Sequence, residues 1–105
     1  MQVLKFGGTS VNDARAINQV VSIVAGQRRS DPEIVVVTSA MRGVTDLLIN
    51  SANAAARGDR QAYRDARQTL IGRHRDAAEA LIADLDDLAQ LQAQTDERVR
   101  EFERL

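Results

Sequence analysis

Cysteine is absent from the 105 residues, so no disulfide, thiolate nucleophile or thiolate metal site can be built from them. Tryptophan is absent too, and aromatic residues of all kinds amount to 3%. Base-stacking platforms for single-stranded RNA need more rings than that, and small and aliphatic side chains are left to fill the core. Neither sign of charge dominates: 14 Lys and Arg against 15 Asp and Glu leave a net charge of -1. That balance gives no global attraction for nucleic acid or an anionic membrane, so neither is expected as a partner, although local patches stay open. No apolar run approaches membrane-spanning length, and the opening Met1-Gln2-Val3-Leu4-Lys5-Phe6 has no basic segment ahead of a long hydrophobic one. With 44% hydrophobic and 28% charged residues the chain reads as a soluble globular protein, and a cytoplasmic location is expected.

What is present is strongly punctuated. Gln2 to Phe6 is a short β-prone stretch running into Gly7-Gly8, which predicts a strand and a tight loop. Ala14, Ile17, Val20, Val21 and Val24 then recur at intervals of three and four, predicting an amphipathic helix capped by Asn12 or Ser10 and ending near Gly26 or Gln27. Arg28 to Pro32 is a polar turn holding the only proline. Ile34-Val35-Val36-Val37-Thr38 follows as an unbroken β-branched run, the pattern of a parallel strand covered on both faces. Val44, Leu47, Leu48 and Ala52 mark a second helix that stops at Arg57-Gly58.

From Asp59 the texture turns helical, rich in Ala, Leu, Gln, Arg, Asp and Glu. Tyr63, Ala66, Leu70, His74, Ala77 and Leu81 fall on one stripe, which predicts a long helix. A bend is expected near Asp84 to Asp87, and a further segment capped by Thr95. The fold class is therefore α/β. Residues 1–58 form a βαβα part with two parallel strands, and residues 59–105 a helical insertion or hairpin. Two strands leave both sheet edges open, and Val99 to Leu105 carries no helix stop signal. An N-terminal piece of a larger protein is the expectation.

Two loops could carry chemistry. In Lys5-Phe6-Gly7-Gly8-Thr9-Ser10, glycines without Cβ atoms allow close backbone approach and can aim N–H groups at phosphate oxygens beside a lysine. The order is neither GxxxxGK[ST] nor GxGxxG, and on spacing alone an ordinary glycine turn is the commoner reading. In Thr38-Ser39-Ala40-Met41-Arg42-Gly43-Val44-Thr45, Ser39 and Thr45 could hydrogen-bond a small polar substrate. Alternatively, Ser39 merely ends a strand and Thr45 caps the helix that follows. Both loops lie at the carboxyl ends of the strands, where open α/β sheets bind ligands. Elsewhere, His74 lacks a second histidine or cysteine with which to ligate metal and reads as a helix residue. Asp84, Asp86 and Asp87 read as a solvated acidic helix end, and Arg57, Arg60, Arg64 and Arg67 as a hydrated face.

Val3-Leu4-Lys5-Phe6-Gly7-Gly8-Thr9-Ser10-Val11 resembles the N-terminal motif of aspartate kinases, and Val35 to Leu48, "VVVTSAMRGVTDLL", resembles their second block, in the same order. The likeness is strong over about the first fifty residues and general beyond them. It implies the N-terminal part of an amino acid kinase three-layer αβα fold. It also implies transfer of the ATP γ-phosphoryl group to the side-chain carboxylate of L-aspartate, the first step toward lysine, threonine, methionine and isoleucine. On that resemblance Lys5 contacts the phosphates and stabilises transition-state charge, and Gly7 and Gly8 offer backbone N–H groups. Thr9 and Ser10 complete the phosphate loop, Ser39 lies beside substrate and γ-phosphate, and Thr45 helps hold aspartate. ATP arrives with Mg²⁺, with no metal held by the protein itself, and a homo-oligomer is expected. The nucleotide-binding remainder and the ACT domains are expected outside residues 1–105, leaving these residues inactive alone. Two alternatives stand beside this: the kinase part of an aspartate kinase fused to homoserine dehydrogenase, and a non-catalytic interaction module using residues 59–105.

Overall fold

A computed structural model describes residues 1–104. Its elements run β1 (Gln2–Phe6), α1 (Ala14–Ser30), β2 (Ile34–Thr38), α2 (Val44–Ala56), α3 (Arg60–Leu81) and α4 (Leu85–Glu103). Two compact units result, Met1–Thr45 and a second beginning at Asp46. Among the described residues no helix is long and apolar enough to cross a membrane.

In the first unit β1 and β2 are parallel, with Gln2 opposite Ile34 and Phe6 opposite Thr38. The helix between them makes this the natural arrangement, because parallel neighbours need a long crossover. Backbone bonds from Gln2 N–H to Glu33 O at 2.9 Å and from Ser39 N–H to Phe6 O at 3.1 Å bracket the ladder. Along β1, Gln2, Leu4 and Phe6 are half-buried while Val3 and Lys5 are exposed. Val36, the partner of Leu4, lines an open apolar groove with Val20, Val21 and Val24 of α1. The α1 face therefore holds Leu4 and Val36, and the opposite face holds Val3, Lys5, Val35 and Val37. Coverage of β2 on both faces, expected from its β-branched run, is not found among the described residues: Val35, Val36 and Val37 are all exposed. The run expresses strand propensity, whereas coverage requires a second packed layer.

Helix α1 differs from expectation at both ends. Its cap is Asp13, not Asn12 or Ser10, with Oδ1 accepting from Ala16 N–H at 2.9 Å. Ser10 is already engaged through its backbone in the preceding turn, so the chain reaches extended geometry three residues later. At the other end the helix continues through Gly26 and Gln27 to Ser30. Arg28 and Arg29 complement the negative end of the helix dipole. Asp31 breaks the helix because it precedes Pro32, whose ring drives that residue to φ -143° and ψ 108°.

In the second unit α3 and α4 pack together. Ala66, Leu70 and Ala78 of α3 are buried, and Val99 and Phe102 of α4 line the same small interior gap as Ser51, Ala66 and Leu70. Arg75 pairs with Asp96 at 2.9 Å, and Arg67 with Glu103. The chain turns at Ile82 to Asp84, and Asp84 caps α4 by accepting from Asp87 N–H at 2.9 Å. Thr95 starts no segment of its own; it lies inside α4, its hydroxyl donating to Leu91 O at 3.0 Å. With Asp84 already supplying the cap and threonine able to bond back to the preceding turn, nothing interrupts the helix. Gly58 sits at φ 78°, the left-handed conformation that ends α2 as expected.

Candidate functional site

Because β1 and β2 are parallel, the loops that follow them leave the sheet at the same end. Each loop closes on a buried valine: Val11 after the first and Val44 after the second, with 6% and 5% of their surface exposed. The first loop winds through two successive turns, Ser10 N–H donating to Gly7 O at 3.0 Å and Val11 N–H to Gly8 O at 3.3 Å. These bonds occupy the carbonyls of both glycines. The backbone N–H groups of Gly7, Gly8 and Thr9 have no acceptor among the described residues, so three consecutive donors remain for a ligand. An anion is the complementary partner for such a row.

Lys5 lies opposite Val37 on the sheet face away from α1, exposed, with no ion-pair or hydrogen-bond partner among the described residues. Thr9 and Ser10 are exposed beside the free N–H groups. Ser39 extends the ladder through its N–H, and its hydroxyl donates to Ala40 O at 2.8 Å. Thr45 is exposed and is the second residue of α2, which overturns its reading as the helix cap. The reason is Gly43, whose φ of 83° swings the chain sharply so that Val44 N–H closes on Met41 O at 3.0 Å and the helix starts at Val44 rather than Asp46.

All seven residues singled out from the sequence thus belong to the first compact unit, on or just beyond the carboxyl ends of its two strands. Sequence reasoning put Val44 on the second helix but did not single out Val11 and Val44 as the buried anchors of the two loops, nor Gly43 as the left-handed exit. The signal existed: a valine closes each glycine-containing loop in "GGTSV" and "RGV".

The model of the amino acid kinase family matches residues 1–99. The chain belongs to the amino acid kinase family. Among curated relatives, an aspartate kinase of Pseudomonas fluorescens (strain SBW25) is 48% identical over 59 residues, covering 56% of this chain and 14% of that protein. An aspartokinase of Pseudomonas aeruginosa is 49% identical over 51 residues, 49% of this chain and 12% of the relative. One from Rickettsia prowazekii is 39% identical over 51 residues, covering 49% and 11%. The aligned part of this amino acid kinase family chain thus spans about a seventh or less of the curated relatives it matches.

The second unit adds no such constellation. His74 Nδ1 lies 2.7 Å from Leu70 O, one helical turn back, and Asp84 serves as a cap. Among the described residues no group of three or more His, Asp or Glu side chains is placed to hold a metal ion. Burial pushes the Tyr63 hydroxyl pKa up and the Glu103 carboxylate adds to the shift, while Arg67 pulls the other way.

Proposed function

We propose that the chain forms one wall of an aspartate kinase active site. The observation that carries this is that the consecutive N–H groups of Gly7, Gly8 and Thr9 and the side chain of Lys5 have no partner among the described residues, at the strand end that also bears Ser39. The substrates are MgATP and L-aspartate. A side-chain carboxylate oxygen of aspartate attacks the γ-phosphorus, the bond from that phosphorus to the β,γ-bridging oxygen breaks, and ADP departs with the electron pair. The product is 4-phospho-L-aspartate. No proton need move at the attacking oxygen, so the protein contributes alignment and charge rather than covalent chemistry.

Lys5 offsets the negative charge shared by the transferring phosphoryl and the leaving oxygen. Gly7, Gly8 and Thr9 donate to phosphoryl oxygens, and Ser10 completes the loop. Ser39 lies beside the substrate and the γ-phosphate, and Thr45 helps to hold aspartate. Groups that bind the adenine and complete the acceptor site come from outside residues 1–105, so these residues alone turn over no ATP. The whole protein acts in the cytoplasm as a homo-oligomer, at the entry to lysine, threonine, methionine and isoleucine synthesis. Residues 59–105 are a helical insertion of the kinase domain.

The test is aspartate-dependent ADP formation by the full-length protein and its Lys5→Ala variant. Loss of one preorganised charge partner is expected to lower kcat by about 10²- to 10³-fold. Circular dichroism and melting should stay unchanged, because Lys5 is exposed and packs no core. Near-normal turnover in the variant removes Lys5 from the reaction. Absence of aspartate-dependent turnover in the unmodified protein removes the kinase reading itself.

A further inference from the structure

The two glycines of the first loop sit in different surroundings. A Cβ placed on Gly7 meets nothing within 4 Å. One placed on Gly8 lies 3.3 Å from the carbonyl oxygen of Ala40, 3.3 Å from Arg42 Cα and 3.5 Å from Arg42 N. All three are backbone atoms of the second loop. Neither glycine has a positive φ, so conformational freedom is not what either position requires. At Gly8 the requirement is space, because the backbone of one loop rests on the backbone of the other.

We infer that Gly8 is a positioning residue, the point at which the loop after β1 sets the placement of the loop 39–43 after β2. The second loop is tied at both ends, by Ser39 N–H to Phe6 O at 3.1 Å and by Val44 N–H to Met41 O at 3.0 Å, with Val44 buried. Between those ties its Ala40–Arg42 backbone bears on Gly8. A methyl group there cannot be absorbed by rotating a side chain, since no side-chain atom is among its nearest neighbours. It moves backbone by a few tenths of an ångström and takes Ser39 with it. Gly7, facing open space, is the glycine free to approach a ligand; Gly8 holds the two loops in register while its own N–H stays available.

The catalytic consequence rests on the kinase reading, whereas the packing claim does not, and the experiments separate them. In the ligand-free, isotope-labelled full-length protein, cross-relaxation between the Gly8 Hα protons and the Arg42 backbone protons is expected, and its absence overturns the inference without any variant. Gly8→Ala is expected to shift the amide resonances of residues 39–43 in the absence of ligand, and Gly7→Ala to leave them in place. Equal shifts from both variants, or none from Gly8→Ala, overturn it. If Gly8→Ala does not fold, the wild-type contact decides. In turnover, Gly8→Ala is expected to raise KM for aspartate about tenfold, in proportion to so small a misplacement, with KM for ATP held within about twofold. A reversed split, with KM for aspartate unchanged, would mean that the added methyl disturbs only the N–H that Gly8 offers to the phosphoryl group, and overturns the positioning role. Wild-type protein that shows the contact but no aspartate-dependent turnover supports the packing and overturns the kinase reading alone.

Discussion

The two compact units differ in how their backbone donors and charged side chains are engaged. The first, Met1–Thr45, leaves Val3, Val21, Val35 and Val37 between 44% and 61% exposed, and the N–H groups of Gly7, Gly8 and Thr9 find no acceptor among the described residues. The helical unit that starts at Asp46 exposes Ile49 and Leu85 as well, but engages its caps and charges internally: Asp59 and Asp84 cap its helices, Leu70 and Ala66 are buried, and Arg67 and Arg75 are paired across α3 and α4. Unsatisfied groups are costly to keep, and they are kept where a ligand or another layer can use them. The candidate site residues all lie in the first unit, where backbone donors remain available to a ligand.

That contrast can be broken most forcefully at Leu70. With 5% of its surface exposed between α3 and α4, Leu70→Ala is expected to cost about 2–3 kcal/mol through lost burial and the cavity left behind. Hydrogen exchange in the full-length protein should show protection falling in α3 and α4 while the β1–β2 ladder keeps its own. A uniform loss across both units would mean that they unfold as one. A smaller effect comes from the two left-handed glycines, Gly43 at φ 83° and Gly58 at φ 78°. Alanine at either costs about 1–2 kcal/mol of backbone strain. Only Gly43→Ala is expected also to impair aspartate-dependent turnover, because Gly43 shapes the loop holding Ser39; equal kinetic damage from Gly58→Ala would erase the functional difference between the units.

The smallest expected effect concerns pH. Burial and Glu103 raise the Tyr63 pKa above its ordinary value of 10.0, so the folded chain holds the phenolic proton more tightly than the unfolded one. The associated stability is fully present below pH 10 and is lost as pH rises through the folded-state value. Melting of the helical unit should decline more steeply above pH 10 than that of Tyr63→Phe, and identical slopes would show that Tyr63 ionises as freely folded as unfolded.

Local pattern carried some features and not others. Gln2–Phe6 and Ile34–Thr38 stand where β-branched and glycine signals put them, and their parallel pairing follows from the helix between. The Asp13 cap escaped because Ser10, Asn12 and Asp13 are all chemically able to cap, and only the path of the Gly7–Val11 turns selects among them. Thr95 misled for the converse reason: its hydroxyl suits a cap, but a helix already under way satisfies it from Leu91 O.

By itself the sequence determined the α/β order, the two glycine-bearing loops and the family they resemble, because these rest on local periodicity and on contiguous motifs. Only the tertiary structure decided that β2 stays exposed, that Gly43 rather than Thr45 governs the start of α2, and that Gly8 meets the backbone of Ala40 and Arg42 while Gly7 meets nothing. The last of these depends on the distance between segments some thirty residues apart, and loop closure over such a span is fixed by strand pairing and packing rather than by neighbouring residues.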